Sequence, residues 1–142
     1  MSRALCPVAV HLFLQKDNQV LLLRRFNTGY EDGNYSVIAG HIDSGEDVYS
    51  AMLREAKEEA GIDISRDNLE IIQVMHRKRD DERIDYFFSC ETWVGDVRNM
   101  EPDKCDEFLW VDIDKLPNNT IDYIRAAVRN YKTGVSFSIF GW

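Results

Sequence analysis

Cysteine is scarce in this chain of 142 residues: Cys6, Cys90 and Cys105 form an odd set without zinc-type spacing. That pattern argues against a disulfide framework or a structural zinc site, and the thiols read as reduced. Long apolar runs are missing as well. No stretch approaches the roughly eighteen apolar residues of a membrane span. The opening MSRALCPVAVHLFLQKDNQ also lacks a charged lead followed by a long apolar core. There is no basic surplus either. A net charge of -8 disfavours generic attraction to nucleic acid or to an anionic membrane. No internal repeat, linker or low-complexity tract is visible. What remains is ordinary globular composition, with 44% apolar residues and enough length for one compact domain with a real core. The expectation is a single domain over residues 1–142, cytoplasmic, with no membrane and no stable nucleic-acid partner.

Apolar runs over Pro7–Gln15 and Gln19–Arg24 flank Lys16-Asp17-Asn18, which reads as a hairpin turn. Asn27, Gly29, Asp32, Gly33 and Asn34 mark a loop, and Tyr35–Ile38 a short strand after it. Leu69–Met75 and Ile84–Trp93 read as strands joined by a charged, solvated turn from His76 to Arg83. Phe108–Val111 is a further short strand. Ile121, Ile124, Val128 and Tyr131 recur at helical spacing, with Asn119 or Thr120 available as a cap. Strands with two segregated helices make an α+β layered domain.

The most informative segment runs from Gly40 to Ile62, GHIDSGEDVYSAMLREAKEEAGI. Ser44 followed by Asp47 is a helix-start pattern, a weaker relative of the capping box, and predicts a helix from Glu46 to Ala60. Glu55, Glu58 and Glu59 stand at i, i+3 and i+4, so their carboxylates share one face. They occupy the last turn before Gly61, a candidate left-handed terminator, and so meet the negative end of the helix dipole. Three like charges placed there call for a cation. Hard divalent ions take carboxylate oxygens and complete their shells with water and substrate phosphates. Arg54 lies beside the cluster, where a planar guanidinium can orient a carboxylate.

With Gly40, Glu46, Arg54, Glu55, Glu58, Glu59 and Gly61 at these spacings, the segment resembles the signature of the Nudix hydrolases, and the chain is similar to bacterial MutT-like members. Ala56 and Ile62 fill its two apolar positions. The stretch EPDKCDEFLWVDIDKLP resembles the region after the signature in many such proteins, and the closing FSIFGW resembles one bacterial subgroup. The resemblance implies an α/β/α sandwich with a mixed β-sheet, the signature forming a loop-helix-loop that carries metal. It implies Mg²⁺, with Mn²⁺ as an alternative, on Glu55, Glu58 and Glu59 with the Gly40 carbonyl as a further ligand. Glu55, Glu58 and Glu59 form the implied catalytic set together with Arg54, which with Glu46 positions the signature. The general base is left open among Glu55, Glu101 and Glu107.

The implied reaction is water attack at phosphorus in a nucleoside diphosphate-linked small molecule, foremost a nucleoside triphosphate yielding monophosphate and pyrophosphate. Arg24, Arg25, Tyr30 and Glu107 are the candidate substrate contacts. Sheet-edge solubility is the competing role for the two arginines. Tyr35, Trp93 and Trp110 read as packing residues. Tyr35-Ser36-Val37-Ile38-Ala39-Gly40 replaces the Trp-x-Leu-Pro-Gly-Gly entry of many MutT-like chains. Arg77-Lys78-Arg79 occupies the region of the proline that marks ADP-ribose enzymes, and the tyrosine of dinucleoside polyphosphate enzymes is absent at positions 78–80. Base preference therefore stays undetermined, and a homodimer is left open. The rivals are a noncatalytic nucleotide-sensing module, against which the complete glutamate set speaks, and an RNA-end-processing enzyme, whose expected basic track is not evident.

Overall fold

The computed structural model describes residues 2–142. Its elements in chain order are β1 (Val8–Lys16), β2 (Gln19–Arg25), β3 (Tyr35–Ser36), β4 (Ile38–His41), α1 (Val48–Ala60) and a 3₁₀ turn (Arg66–Asn68). There follow β5 (Glu70–Lys78), β6 (Glu82–Cys90), β7 (Cys105–Asp112), α2 (Asp122–Thr133) and β8 (Phe137–Phe140). The strands form one mixed sheet in the order β3-β2-β1-β6-β5-β8, with β4 added to β1 and β7 to β2. The β1–β6 and β5–β8 pairs are parallel and the others antiparallel.

The central strand β1 reads as an almost unbroken apolar run because both of its faces are covered. Val10, Leu12 and Leu14 pack in one core with Ala51, Met52, Ala56 and Ala60 of α1. Phe13, from the opposite face, packs with Ile124, Ala127 and Val128 of α2. The α+β domain is thus the expected α/β/α sandwich. Among the described residues no helix is long and apolar enough to cross a membrane.

Several boundaries differ from expectation. Helix α1 begins at Val48, and its N-cap is Asp47, whose Oδ1 accepts from the Ser50 N–H at 2.9 Å. Ser44 has no part in that cap. Tyr35–Ile38 divides into β3 and the start of β4, so Gly40 sits in a strand opposite Val10. In α2 neither Asn119 nor Thr120 caps the helix: Ile121 is the N-cap residue, and the Thr120 hydroxyl donates to the Pro117 carbonyl instead. The largest correction concerns His76–Arg83. Most of that segment extends β5 and β6, and only Arg79–Asp81 turns, because His76↔Ile84, Arg77↔Arg83 and Lys78↔Glu82 continue the ladder. Trp93 lies beyond β6 and stacks on Trp110, with ring centroids 6.2 Å apart. The closing strand β8 was not anticipated.

Candidate active site

The carboxylates of α1 meet the backbone of β4. Glu59 Oε2 accepts from the Ala39 N–H at 2.9 Å, which carries its side chain inward against the strand. The Glu55 carboxyl lies directly over Gly40, and a Cβ at that position would overlap it. Gly40 therefore serves by leaving room, since its backbone has an ordinary strand conformation. Glu58 points to solvent.

Arg54 ties this cluster to the loop before α1. Its Nε and Nη2 meet both carboxylate oxygens of Glu46 at 2.8 and 2.9 Å, its Nη1 reaches Glu55 at 2.8 Å and Glu58 at 3.2 Å, and Nη2 also donates to the His41 carbonyl. Arg54 hydrogen bonds, with a backbone donor from Asp43, hold the Glu46 pKa down at about 2. The inner carboxylates behave oppositely. Burial pushes Glu55 upward, against the pull of Arg54. Burial and then the neighbouring Glu55 push Glu59 well above the usual carboxylate range, partly offset by the Ala39 donor. Two crowded carboxylates with raised pKa values favour an added cation. Oxygen donors from Glu55, Glu58 and Glu59 beside a strand glycine that the Glu55 carboxyl covers suit a hard divalent ion. Among the described residues no three potential ligands are already drawn together at one point.

Gly40, Glu55, Glu58 and Glu59 line one cleft of about 420 Å³, together with Glu101 and Tyr30. Among the described residues Glu101 has one ion pair, with Lys104 Nζ at 4.0 Å, and it shares the cleft with the carboxylates of Glu55 and Glu59. Glu107 is engaged elsewhere, accepting from the Tyr35 hydroxyl at 2.7 Å and pairing with Arg24 at 3.4 Å. Arg24 also pairs with Asp106 at 2.7 Å. Arg25 is held by neutral acceptors, the Tyr30 carbonyl and Thr28 Oγ1. Tyr30 is 39% exposed, whereas Tyr35 is buried.

The rest of the cleft wall comes from outside the chosen substrate contacts and includes the basic segment that reads as a solvated turn in sequence. Arg77, expected in a solvated turn, is only 4% exposed; it donates to Asp85 at 2.6 Å and lies 3.7 Å over the Tyr123 ring. His11 stacks on Phe87 and contacts the Tyr123 hydroxyl at 3.2 Å, while its Nδ1 has no partner among the described residues. Burial lowers its pKa to about 4. Arg83, His41 and Lys104 complete the wall. The clue to Arg77 was available: a charge two places after Met75, in a run that keeps strand alternation, can point inward with it.

A family model described as NUDIX domain matches residues 5–131, so the chain belongs to the Nudix family and is a Nudix pyrophosphohydrolase. Enzymes of this family generally use divalent metal ions and act on small nucleotide substrates. The chain is 30% identical over 117 residues to the ADP-ribose pyrophosphatase of Methanocaldococcus jannaschii, covering 82% of this chain and 68% of that protein. It is 27% identical over 127 residues to the NAD-capped RNA hydrolase NudC of Vibrio atlanticus, covering 80% of this chain but only 45% of that longer relative. Among solved structures, the MutT NUDIX hydrolase from Burkholderia pseudomallei superposes with a TM-score of 0.81 at 24% identity, covering 88% of this chain and 97% of the other. That likeness is one of fold.

Proposed function

We propose that the chain hydrolyses a nucleoside diphosphate-linked small molecule, foremost a nucleoside triphosphate to monophosphate and pyrophosphate. The observation that carries this reading is the meeting of Glu55 and Glu59 with β4 at Gly40, inside a cleft that Glu101 shares. Glu55, Glu58, Glu59 and the Gly40 carbonyl would hold Mg²⁺ or Mn²⁺. A bound ion of this kind neutralises bridging phosphate oxygens and lowers the pKa of water. Arg54 keeps Glu55 and Glu58 oriented through its anchorage on Glu46. Glu101 is the proposed general base: it lines the cleft beside Glu55 and Glu59, and among the described residues its one ion pair is the loose contact with the Lys104 ammonium at 4.0 Å. A proton leaves the attacking water for its carboxylate as oxygen adds to phosphorus and the leaving phosphate departs.

The nucleoside is read beside this centre. A smaller slot of about 110 Å³ has Leu23, Val37 and Phe108 as apolar walls, with Thr28 and Asn99 as polar ones. Arg25 and Tyr30 contact the substrate; Arg24 and Glu107, paired with each other and with Asp106 and Tyr35, brace the strands beneath. A nucleotide-library screen with separate detection of phosphate and pyrophosphate tests the reading. Nucleoside triphosphates should release pyrophosphate, chelation should abolish turnover, and Mg²⁺ or Mn²⁺ should restore it. Turnover that persists in chelator would overturn the metal assignment. Faster cleavage of NAD-capped RNA than of any free nucleotide would overturn the substrate class.

A further inference from the structure

The glutamate cleft opens into a second chamber of about 410 Å³, and Arg25, Tyr30, His41, Arg77 and Arg83 line both. Four guanidiniums gather here in a chain whose net charge is -8. Two of them are already committed: Arg77 to Asp85 at 2.6 Å and Arg83 to Asp81 at 2.8 Å. Arg25 and Arg79 have no carboxylate within 4.0 Å among the described residues, and Asp80 is the remaining acidic group of the wall. Both of these guanidiniums, Arg25 with only neutral acceptors on its Nε and Nη2, approach one ring, at 5.2 and 6.0 Å from the Tyr30 centroid. They stand where the cleft leaves the glutamates.

The support for this corner is stiff. Asp32 accepts from Thr28 N, Gly29 N and the Thr28 hydroxyl at 3.0, 2.9 and 2.6 Å, and the Thr28 hydroxyl in turn meets Arg25. Asn27, Gly29, Glu31 and Gly33 all have positive φ, a run of backbone conformations on either side of Tyr30 that few sequences adopt. A neutral group needs no pair of unneutralised guanidiniums. A phosphate matches their planar fork and supplies the missing counter-charge.

We propose that Arg25 and Arg79, framed by Tyr30, form a site for an additional phosphate of the substrate, outside the diphosphate that the glutamate centre acts on. This inference rests on the proposed nucleotide chemistry and narrows it to substrates with an extra anionic group. Two sources share that chemistry, the terminal phosphate of a nucleoside triphosphate and a phosphate on the far sugar of a nucleoside diphosphate sugar. The positive wall also offsets the repulsion that an acidic chain exerts on such a polyanion.

Specificity constants of the full chain would be measured for a nucleoside triphosphate, a nucleoside diphosphate sugar, and the same sugar carrying a phosphate. Arg79→Gln should lower the preference for the extra phosphate over the plain sugar by ~10-fold, chiefly through KM, and Arg79→Lys should restore part of it. The triphosphate or the sugar phosphate, whichever loses more, identifies the source. An unaltered preference in Arg79→Gln would overturn the site while leaving the nucleotide reading intact. If the wild-type chain cleaves no nucleotide, that reading fails, and calorimetric binding of tripolyphosphate decides the site independently. A ~10-fold weaker affinity in Arg79→Gln supports it, and equal affinity overturns it.

Discussion

Charge and burial pull against each other most sharply at Glu59, which is turned inward beside Glu55 and held by one backbone donor. Gln at position 59 can still accept from Ala39, and Gln at the exposed position 58 disturbs no packing. Each of Glu58→Gln and Glu59→Gln should therefore lower kcat by at least ~100-fold while leaving the unfolding midpoint close to wild type. Unchanged turnover in both folded variants would sink the metal assignment. His11 gives a second prediction at this scale. Its folded pKa of about 4 lies below the ordinary value of 6.5, so the unfolded chain takes up the proton first as pH falls. The cost of keeping it neutral is absent above the upper value, grows through the window between the two, and levels off below the lower one. Its ceiling is roughly 3 kcal/mol. Urea unfolding of His11→Gln should show a shallower loss of stability across that window than wild type, and parallel curves would contradict the burial argument.

The β5–β6 hairpin shows what residue-by-residue reading can and cannot deliver for an element. Helix α1 was legible because its glutamates, its apolar face and Gly61 all lie within one local period; the φ of Gly61 is indeed left-handed at 71°. The hairpin was misread because Arg77, Lys78, Arg83 and Glu82 carry the charge expected of solvent. Their pairing across the ladder, and the burial of Asp85, depend on partners outside the segment. Strand β8 and the wall around Tyr123 failed for the same reason, since parallel partners and α2 are brought up from far along the chain. Arg77 and Asp85 should behave as a unit. Arg77→Met leaves a buried carboxylate without its cation and should cost about 3–5 kcal/mol, whereas combining it with Asp85→Leu should recover much of that loss. A double variant less stable than the single, measured by urea unfolding, would refute the pairing.

For the molecule as a whole, the proposed reaction chemistry lies in the glutamate cleft, while the thiols of Cys90 and Cys105 belong to the packing. Cys90 and Cys105 are buried, burial raises both pKa values, and each donates to a backbone carbonyl, of Thr92 and Glu107 respectively. A serine can make the same bonds. The Cys6→Ser, Cys90→Ser, Cys105→Ser variant should thus keep its turnover, and loss of activity with preserved fold and metal binding would challenge water as the nucleophile. The parallel alignment of β1 with β6 has a consequence in time. Val8 pairs with Ile84 and Leu14 with Cys90, so the strand at the centre of the sheet waits for a partner encoded most of a domain later. Loop closure of that span precedes its reward, which makes this pairing a slow, late step compared with α1 or the β5–β6 hairpin. A ribosome-bound chain can wind its glutamate helix early, yet it has no cleft to place it in until β6 has emerged.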